Sequence, residues 1–196
     1  AYTGRHVSVE RLAREASEIE IHDLGAPIGK QDQYASACGG LNFIRFFSDE
    51  SVDVAPLVIS HGCREALQAS MLMFYTGEQR SASTVLAEQR NVLMHDQAKF
   101  EAMKRMVELA FEARELLYGE DVPAFGRLLH EAWKIKRSLT RSVSTSAIDA
   151  QYEAVMGAGA WGSEHCVDPH LGKARSRLGL RWARGRGGPS TAWTPT

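Results

Sequence analysis

The 196-residue chain has only three cysteines, Cys38, Cys63 and Cys166, an odd number at wide spacing. That excludes a disulfide framework and a paired Cys-x-x-Cys zinc site, and predicts reduced thiols. No run approaches the roughly 18 apolar residues of a membrane span, and the first residues lack the basic-then-apolar order of a secretion signal. A cytoplasmic protein with no membrane partner is expected. An excess of one charge is missing too: 23 Lys and Arg against 24 Asp and Glu leave a net charge of −1, which gives no ground for nucleic-acid binding. No internal repeat is visible. The chain opens at Ala1 with no initiator methionine, on residues that read as one element running into another, so a preceding N-terminal part is expected. Its 44% hydrophobic content suits one substantial core or two small ones.

Apolar periodicity places a helix from a Ser8 cap to about Leu24, with Val9, Leu12, Ala13, Ala16, Ile19 and Leu24 on one side. Glu20 falls inside that stripe, in the row Leu12, Ala16, Glu20, Leu24. Next comes a polar loop, Pro27 to Gly40, with the sequence PIGKQDQYASACGG. Leu41–Phe47 and Val52–Ile59 read as a hairpin split by Ser48-Asp-Glu-Ser, with Pro56 marking an edge or a strand end. A short helix over Arg64–Ser70 and a buried strand over Met71–Thr76 follow. From Ala82 the pattern is helical as far as Gly119, Asp121 with Pro123 opens another helix, and Thr145 or Ser146 starts one more that ends near Met156-Gly-Ala-Gly. Beyond Ser163, Arg, Gly, Pro and Trp rise and periodic apolar positions fade, so 163–196 is expected to be irregular.

The chemistry concentrates on Glu20 and Asp32. A carboxylate on an apolar helix face requires a partner. A Lys or Arg at a seam would serve, and so would a bound Mg²⁺, which takes one or two carboxylates plus substrate phosphates. Asp32 also has a plain reading, as a turn residue accepting nearby backbone N–H groups.

Three separated stretches in order, GKQDQYASACGGLNFIRF at Gly29–Phe46, MLMFYTGEQRSASTVLAEQ at Met71–Gln89 and LLHEAWKIKRSLTRSVSTSAIDAQYEAVMGAGAWG at Leu128–Gly162, resemble the GHMP kinases. Within that superfamily they look most like the sugar kinases that act on D-glycero-D-manno-heptose 7-phosphate. The resemblance implies an α+β fold of two domains, present in part. Residues 1–68 would end the N-terminal domain and carry the catalytic loop, and 69–162 would form most of a ferredoxin-like C-terminal domain. It implies an enzyme that moves a phosphoryl group from ATP, with Mg²⁺, to a sugar or sugar-phosphate hydroxyl. Asp32 matches the catalytic aspartate that deprotonates the acceptor, Lys30 its electrostatic support and Glu20 the Mg²⁺ ligand. Gln31, Gln33, Gly39, Gly40, Arg80 and Ser81 would bind substrate, with Ser83 beside them. His130, Glu131, Lys134 and Arg137 read as an exposed or cleft-facing charged stripe.

The departures from the family are as specific. The Gly-Leu-Gly-Ser-Ser type loop that cradles the ATP phosphates occurs nowhere in the chain, and the glycine-rich third motif due near Gly162 is replaced by Ser163-Glu-His-Cys-Val-Asp-Pro-His170. His165, Cys166, Asp168 and His170 have no regular element to hold them as a metal cluster. Codons for Arg181-Trp-Ala-Arg-Gly-Arg-Gly-Gly188, read two bases later with suitable third positions, encode Leu-Gly-Ala-Gly-Ala-Gly-Gly, so a shifted reading frame near Ser163 is expected. The chain alone is expected to turn over very weakly or not at all. A rival reading is a non-catalytic sugar-binding or protein-interaction module derived from the same fold.

Overall fold

The computed structural model describes residues 7–75, 82–163 and 177–182. Helix α1 spans Val9–Glu18, and its cap is the expected one: the Ser8 hydroxyl accepts from the Arg11 N–H at 3.2 Å. A π-helical turn, Ile19–Asp23, continues it. Helix α2, Gln31–Cys38, occupies the middle of the stretch expected to be a loop. Eight residues make barely two turns, too few for a periodic signal, but Gly29 and Gly39 bracket a segment with no glycine or proline.

The hairpin forms as expected: β1 (Asn42–Phe46) and β2 (Val52–Pro56) pair antiparallel from Asn42 opposite Pro56 to Phe46 opposite Val52, with the proline closing its strand. After α3 (His61–Ser70), capped by Ser60, comes β3 (Met71–Tyr75). The helical run from Ala82 is broken once, because Asp96 accepts from the N–H groups of Ala98 and Lys99 and so ends α4 (Ala82–His95) and starts α5 (Gln97–Tyr118). Helix α6 (Val122–Leu139) begins at Asp121 and Pro123, and α7 (Ser146–Gly157) is capped by Thr145. Strand β4, Arg177–Trp182, pairs antiparallel with β3, so the segment expected to be irregular contributes a strand.

Helices α5 and α6 run antiparallel through a tight turn in which Glu120, at φ +60°, takes the left-handed position rather than Gly119. The Lys99 ammonium at the start of α5 reaches the Ser138 carbonyl near the end of α6, and Arg105 reaches Glu131 at 3.0 Å. One core cluster gathers Leu57, Ile59, Cys63, Leu117 and Val122, with Phe43, Phe125 and Trp161 against it. The other is built on Trp133, 0% exposed, with Val143, Ile148 and Tyr152.

The stripe expected to be charged and either exposed or cleft-facing divides. His130 is half-buried, its ring stacked on Tyr152 at 5.9 Å with its Nδ1 against the phenol oxygen, while Glu131 pairs with Arg105 and Arg137 with Asp149. Burial, and then Lys134, hold the His130 imidazole below its ordinary value. Burial, and then Glu153, push the Tyr152 phenol up to about 12. The signs follow from linkage. Stability contributed by neutral His130 is present above the unfolded value of about 6.5 and is lost as pH falls through the lower folded value. Stability contributed by protonated Tyr152 is present below about 10 and is lost as pH rises through about 12. An ultraviolet titration is expected to show one phenol lagging the others, and Tyr152→Phe to remove that phase; an unaltered titration in the variant refutes the assignment.

Gly162 packs closely on α6, since a Cβ there would run into the Gly126 carbonyl oxygen and stand 3.0 Å from the His130 nitrogen. Backbone cannot yield cheaply. Gly162→Ala is expected to lower Tm by roughly 2–12 °C, from about 1–3 kcal/mol of overpacking. Gly157→Ala, which meets nothing within 4 Å, leaves Tm unchanged or raises it slightly.

Candidate active site

In the π-turn the Leu24 N–H bonds the Ile19 carbonyl at 2.9 Å, one residue beyond α-helical register, and the Ala26 N–H bonds the Glu20 carbonyl at 3.0 Å. Gly25, at φ +63°, then lets the chain leave the helix. Wide turns of this kind concentrate at functional sites. This one carries Glu20, which is half-buried rather than fully enclosed. The sequence pattern had placed that face in the core, but Leu12 and Leu24 are 53% and 73% exposed, so the row borders solvent.

Helix α2 lies against α1 through small side chains. Ala13 is buried and Ser17 folds its hydroxyl back onto the Ala13 carbonyl at 2.8 Å, leaving no bulk to hold the helices apart. An open cleft of about 280 Å³ runs between them, with Leu12, Ala16 and Glu20 on one wall and Asp32, Gln33, Ser36 and Ala37 on the other. The two carboxylates singled out by sequence therefore share one cleft. Asp32 stands in the first turn of α2, at the positive end of the helix, and is exposed.

Gln33, expected to touch substrate, also lines this cleft. It is 6% exposed, and neither its Oε1 nor its Nε2 has a hydrogen-bond partner among the described residues. Gln31 begins α2 and faces solvent. Gly39 and Gly40, at φ +61° and +70°, turn the chain at the far end of α2, about 10 Å along the axis from Asp32 at ~1.5 Å per residue, and do not line the cleft. A Cβ at either would meet nothing within 4 Å, so backbone conformation, not close approach, requires glycine there. Arg80 and Ser81 lie outside the described residues, as does the 164–170 stretch.

Lys30 has a partner that sequence did not announce. Its ammonium pairs with Glu50 in the hairpin turn, whose shape is fixed by Asp49 accepting from the Ser51 N–H at 3.0 Å and by Glu50 at φ +69°. The expected support of Asp32 thus meets a competing carboxylate. Only the hairpin register brings residues 30 and 50 together, which is why spacing gave no signal for Glu50.

The donor set suits a hard cation. Two carboxylates beside an open cleft match Mg²⁺, which completes its shell with water and substrate phosphate, and no cluster of three or more His, Cys, Asp or Glu that could cage a metal occurs among the described residues. No described helix is long and apolar enough to cross a membrane.

With this geometry in hand, comparison with known proteins is informative. The D-glycero-alpha-D-manno-heptose 7-phosphate kinase of Campylobacter jejuni is 31% identical over 150 residues, covering 76% of this chain and 44% of that one. The crystal structure of a D-glycero-D-manno-heptose 1-phosphate kinase from Bacteroides thetaiotaomicron matches 92% of this chain and 55% of its own, with TM-score 0.63 and 25% identity. The chain is similar to heptose-phosphate sugar kinases over about half of their length. A sugar kinase structure from Campylobacter jejuni, at TM-score 0.64 and 24% identity over 93% of this chain and 50% of that one, supports the fold alone. No protein-family model matches. The resemblance to GHMP-type sugar kinases read from the three motifs thus holds, and the chain spans about half the length of the relatives it matches.

The Lys30–Glu50 pair offers a direct check. Lys30 holds the Glu50 carboxyl below its ordinary value of 4.5, first through the hydrogen bond and then through charge. The contact is expected to persist above the ordinary value and to loosen as pH falls through the lower folded one. Carbon NMR of Glu50 should show a depressed midpoint that Lys30→Met restores to the ordinary range; an ordinary midpoint in the unsubstituted chain refutes the pairing.

Proposed function

We propose that the chain carries the acceptor half of an ATP-dependent sugar kinase that phosphorylates a hydroxyl of a heptose phosphate. The observation that carries this reading is the shared α1–α2 cleft of Glu20 and Asp32 in a relative of heptose-phosphate kinases. Asp32 holds the acceptor hydroxyl and takes its proton. Glu20 would hold Mg²⁺, which supplies charge neutralisation at the transferring phosphoryl group when bound, and Lys30, paired with Glu50 at the N-terminus of α2, adds positive charge two residues before Asp32. ATP, when bound, supplies the phosphoryl group. Positioning and electrostatics carry most of such a reaction, which is consistent with so few side chains. In this reading 1–68 belongs to the N-terminal domain of the kinase and 69–162 to its C-terminal domain, and the enzyme is cytoplasmic.

The names of the relatives favour an enzyme over a binding module. The 196 residues contain no Gly-Leu-Gly-Ser-Ser type phosphate loop, so the proposal includes weak or absent turnover by this chain alone. With D-glycero-D-manno-heptose 7-phosphate and Mg²⁺, calorimetry is expected to register binding that Asp32→Asn retains, while an ATP-coupled assay registers little or no product. In a kinase-length chain carrying these residues, Asp32→Asn lowers the rate by about 10²–10⁴. Robust turnover by the 196 residues overturns the proposed inactivity, and failure to bind heptose phosphate overturns the acceptor assignment.

A further inference from the structure

Helix α5 buries Leu109 and Leu117 and reaches α6 through Lys99 and Arg105. On its other side stand Phe100, Val107, Phe111 and Tyr118, each between 39% and 55% exposed. Steps of seven, four and seven residues put all four on one stripe of an α-helix, about 27 Å long at ~1.5 Å per residue. Lys104 and Arg114 complete the same stripe, and their charged ends lie over the Phe100 ring at 4.9 Å and the Phe111 ring at 5.6 Å. Phe43 meets Phe111 edge-on yet leaves that ring 39% exposed. Single exposed apolar side chains need no explanation, but a continuous row on one helix marks a contact surface.

The charges beside the stripe indicate what covers it. In residues 97–107 Lys99, Lys104 and Arg105 outnumber Glu101, and in 108–118 Glu108, Glu112 and Glu115 outnumber Arg114. The first half of α5 therefore carries two net positive charges and the second half two net negative ones. That order opposes the helix dipole, which favours acidic side chains at the N-terminus and basic ones at the C-terminus, and neither end turn of α5 has them. Helix α6 does not correct it. Running antiparallel, it brings its basic last turn, with Lys136 and Arg137, to the basic end of α5, although its Glu131 meets Arg105. A second α5 laid antiparallel sets each half against its opposite.

We infer that the α5 stripe is a self-association surface, on which two copies of this chain cross antiparallel about a two-fold axis near Val107. Val107 then meets its own counterpart, Phe100 of one copy stands beside Phe111 of the other, and each basic half faces an acidic half. A two-fold contact requires a surface complementary to itself, and this charge order supplies one. Apolar burial provides the affinity, while the charges set the direction in which the helices cross. Four partly exposed side chains fall short of the roughly 800 Å² per partner of a standard interface, so the dimer is weak, with a dissociation constant on the order of 10–100 µM. The inference is independent of the kinase reading.

Sedimentation equilibrium of the 196-residue chain tests it, at low salt and over concentrations that bracket about 10–100 µM. The average mass is expected to rise from 21.6 kDa toward twice that value. Val107→Lys alters an exposed position, so circular dichroism and Tm stay unchanged while association weakens by at least about tenfold. Lys99→Glu with Lys104→Glu makes both halves of α5 acidic, and Glu108→Lys with Glu115→Lys makes both basic. Each double variant should be monomeric alone, and the two should pair when mixed. An unsubstituted chain that stays monomeric throughout overturns the inference and leaves the stripe to another occupant, such as the remainder of a kinase-length chain. A dimer indifferent to Val107→Lys overturns the assignment to α5. Charge variants that do not pair when mixed overturn the antiparallel crossing.

Discussion

The contact on which the rest of the structure depends is that of Phe43 with α5. The Phe43 ring meets Phe111 edge-on at 5.1 Å, and the Arg114 guanidinium lies over both rings, 4.9 Å from one centroid and 5.6 Å from the other. A guanidinium over two aromatic faces combines dispersion with attraction to the ring quadrupoles, and it fixes orientation as well as distance. Phe43 also packs against the core cluster of Leu57, Cys63 and Val122. The β1–β2 hairpin, too small to be stable alone, is thereby fastened to the helices.

From that anchor the site is built by two further contacts. Tyr34 of α2 meets Phe46 of β1 edge-on at 5.8 Å, and Lys30, at the N-cap of α2, pairs with Glu50 at the tip of the hairpin. These contacts hold both ends of the first turn of α2, where Asp32 stands. The aromatic contact is buried on the Tyr34 side and insensitive to salt. The ion pair is largely exposed on the Glu50 side and contributes little to stability, so it serves position more than cohesion. Asp32 thus stands on a turn held at both ends, with its own carboxylate exposed.

The caps at Ser8, Asp121 and Thr145 were legible because each side chain wins a local contest by accepting from a backbone N–H within its own first turn, whereas the Ser60 cap of α3 was not read and that helix begins earlier than expected. The hairpin was legible from alternation and its polar turn. What escaped reading is non-local or too short. Helix α2 hid because eight residues show no period, and the π-turn because one extra residue in a helix leaves no mark on composition. The pairing of Glu50 with Lys30 depends on register across a strand, and β4 on partnership with β3 more than a hundred residues earlier. Glu20 and Asp32 were found by a wrong-face carboxylate and by motif resemblance. Their shared cleft became visible only when α1 and α2 were packed.

The same packing sets the α1–α2 seam apart from the core around Trp133. Helices α1 and α2 meet through Ala13, Ser17, Ala16 and Ala37, whereas α6 and α7 enclose Trp133, Ile148 and Tyr152. Burial of large apolar groups supplies most of the local free energy against opening, at roughly 25 cal/mol per Å². The α1–α2 seam has little of it, and it carries a buried Gln33 amide with no hydrogen-bond partner among the described residues. Segments of low local stability are those from which binding sites are drawn, because a ligand can supply there the contacts the chain omits. Small residues on both helices leave the cleft open, and that open space is also apolar contact that the seam lacks. Any substitution that fills the cleft with apolar bulk would therefore add buried contact to the seam by the same atoms that close the space between Glu20 and Asp32.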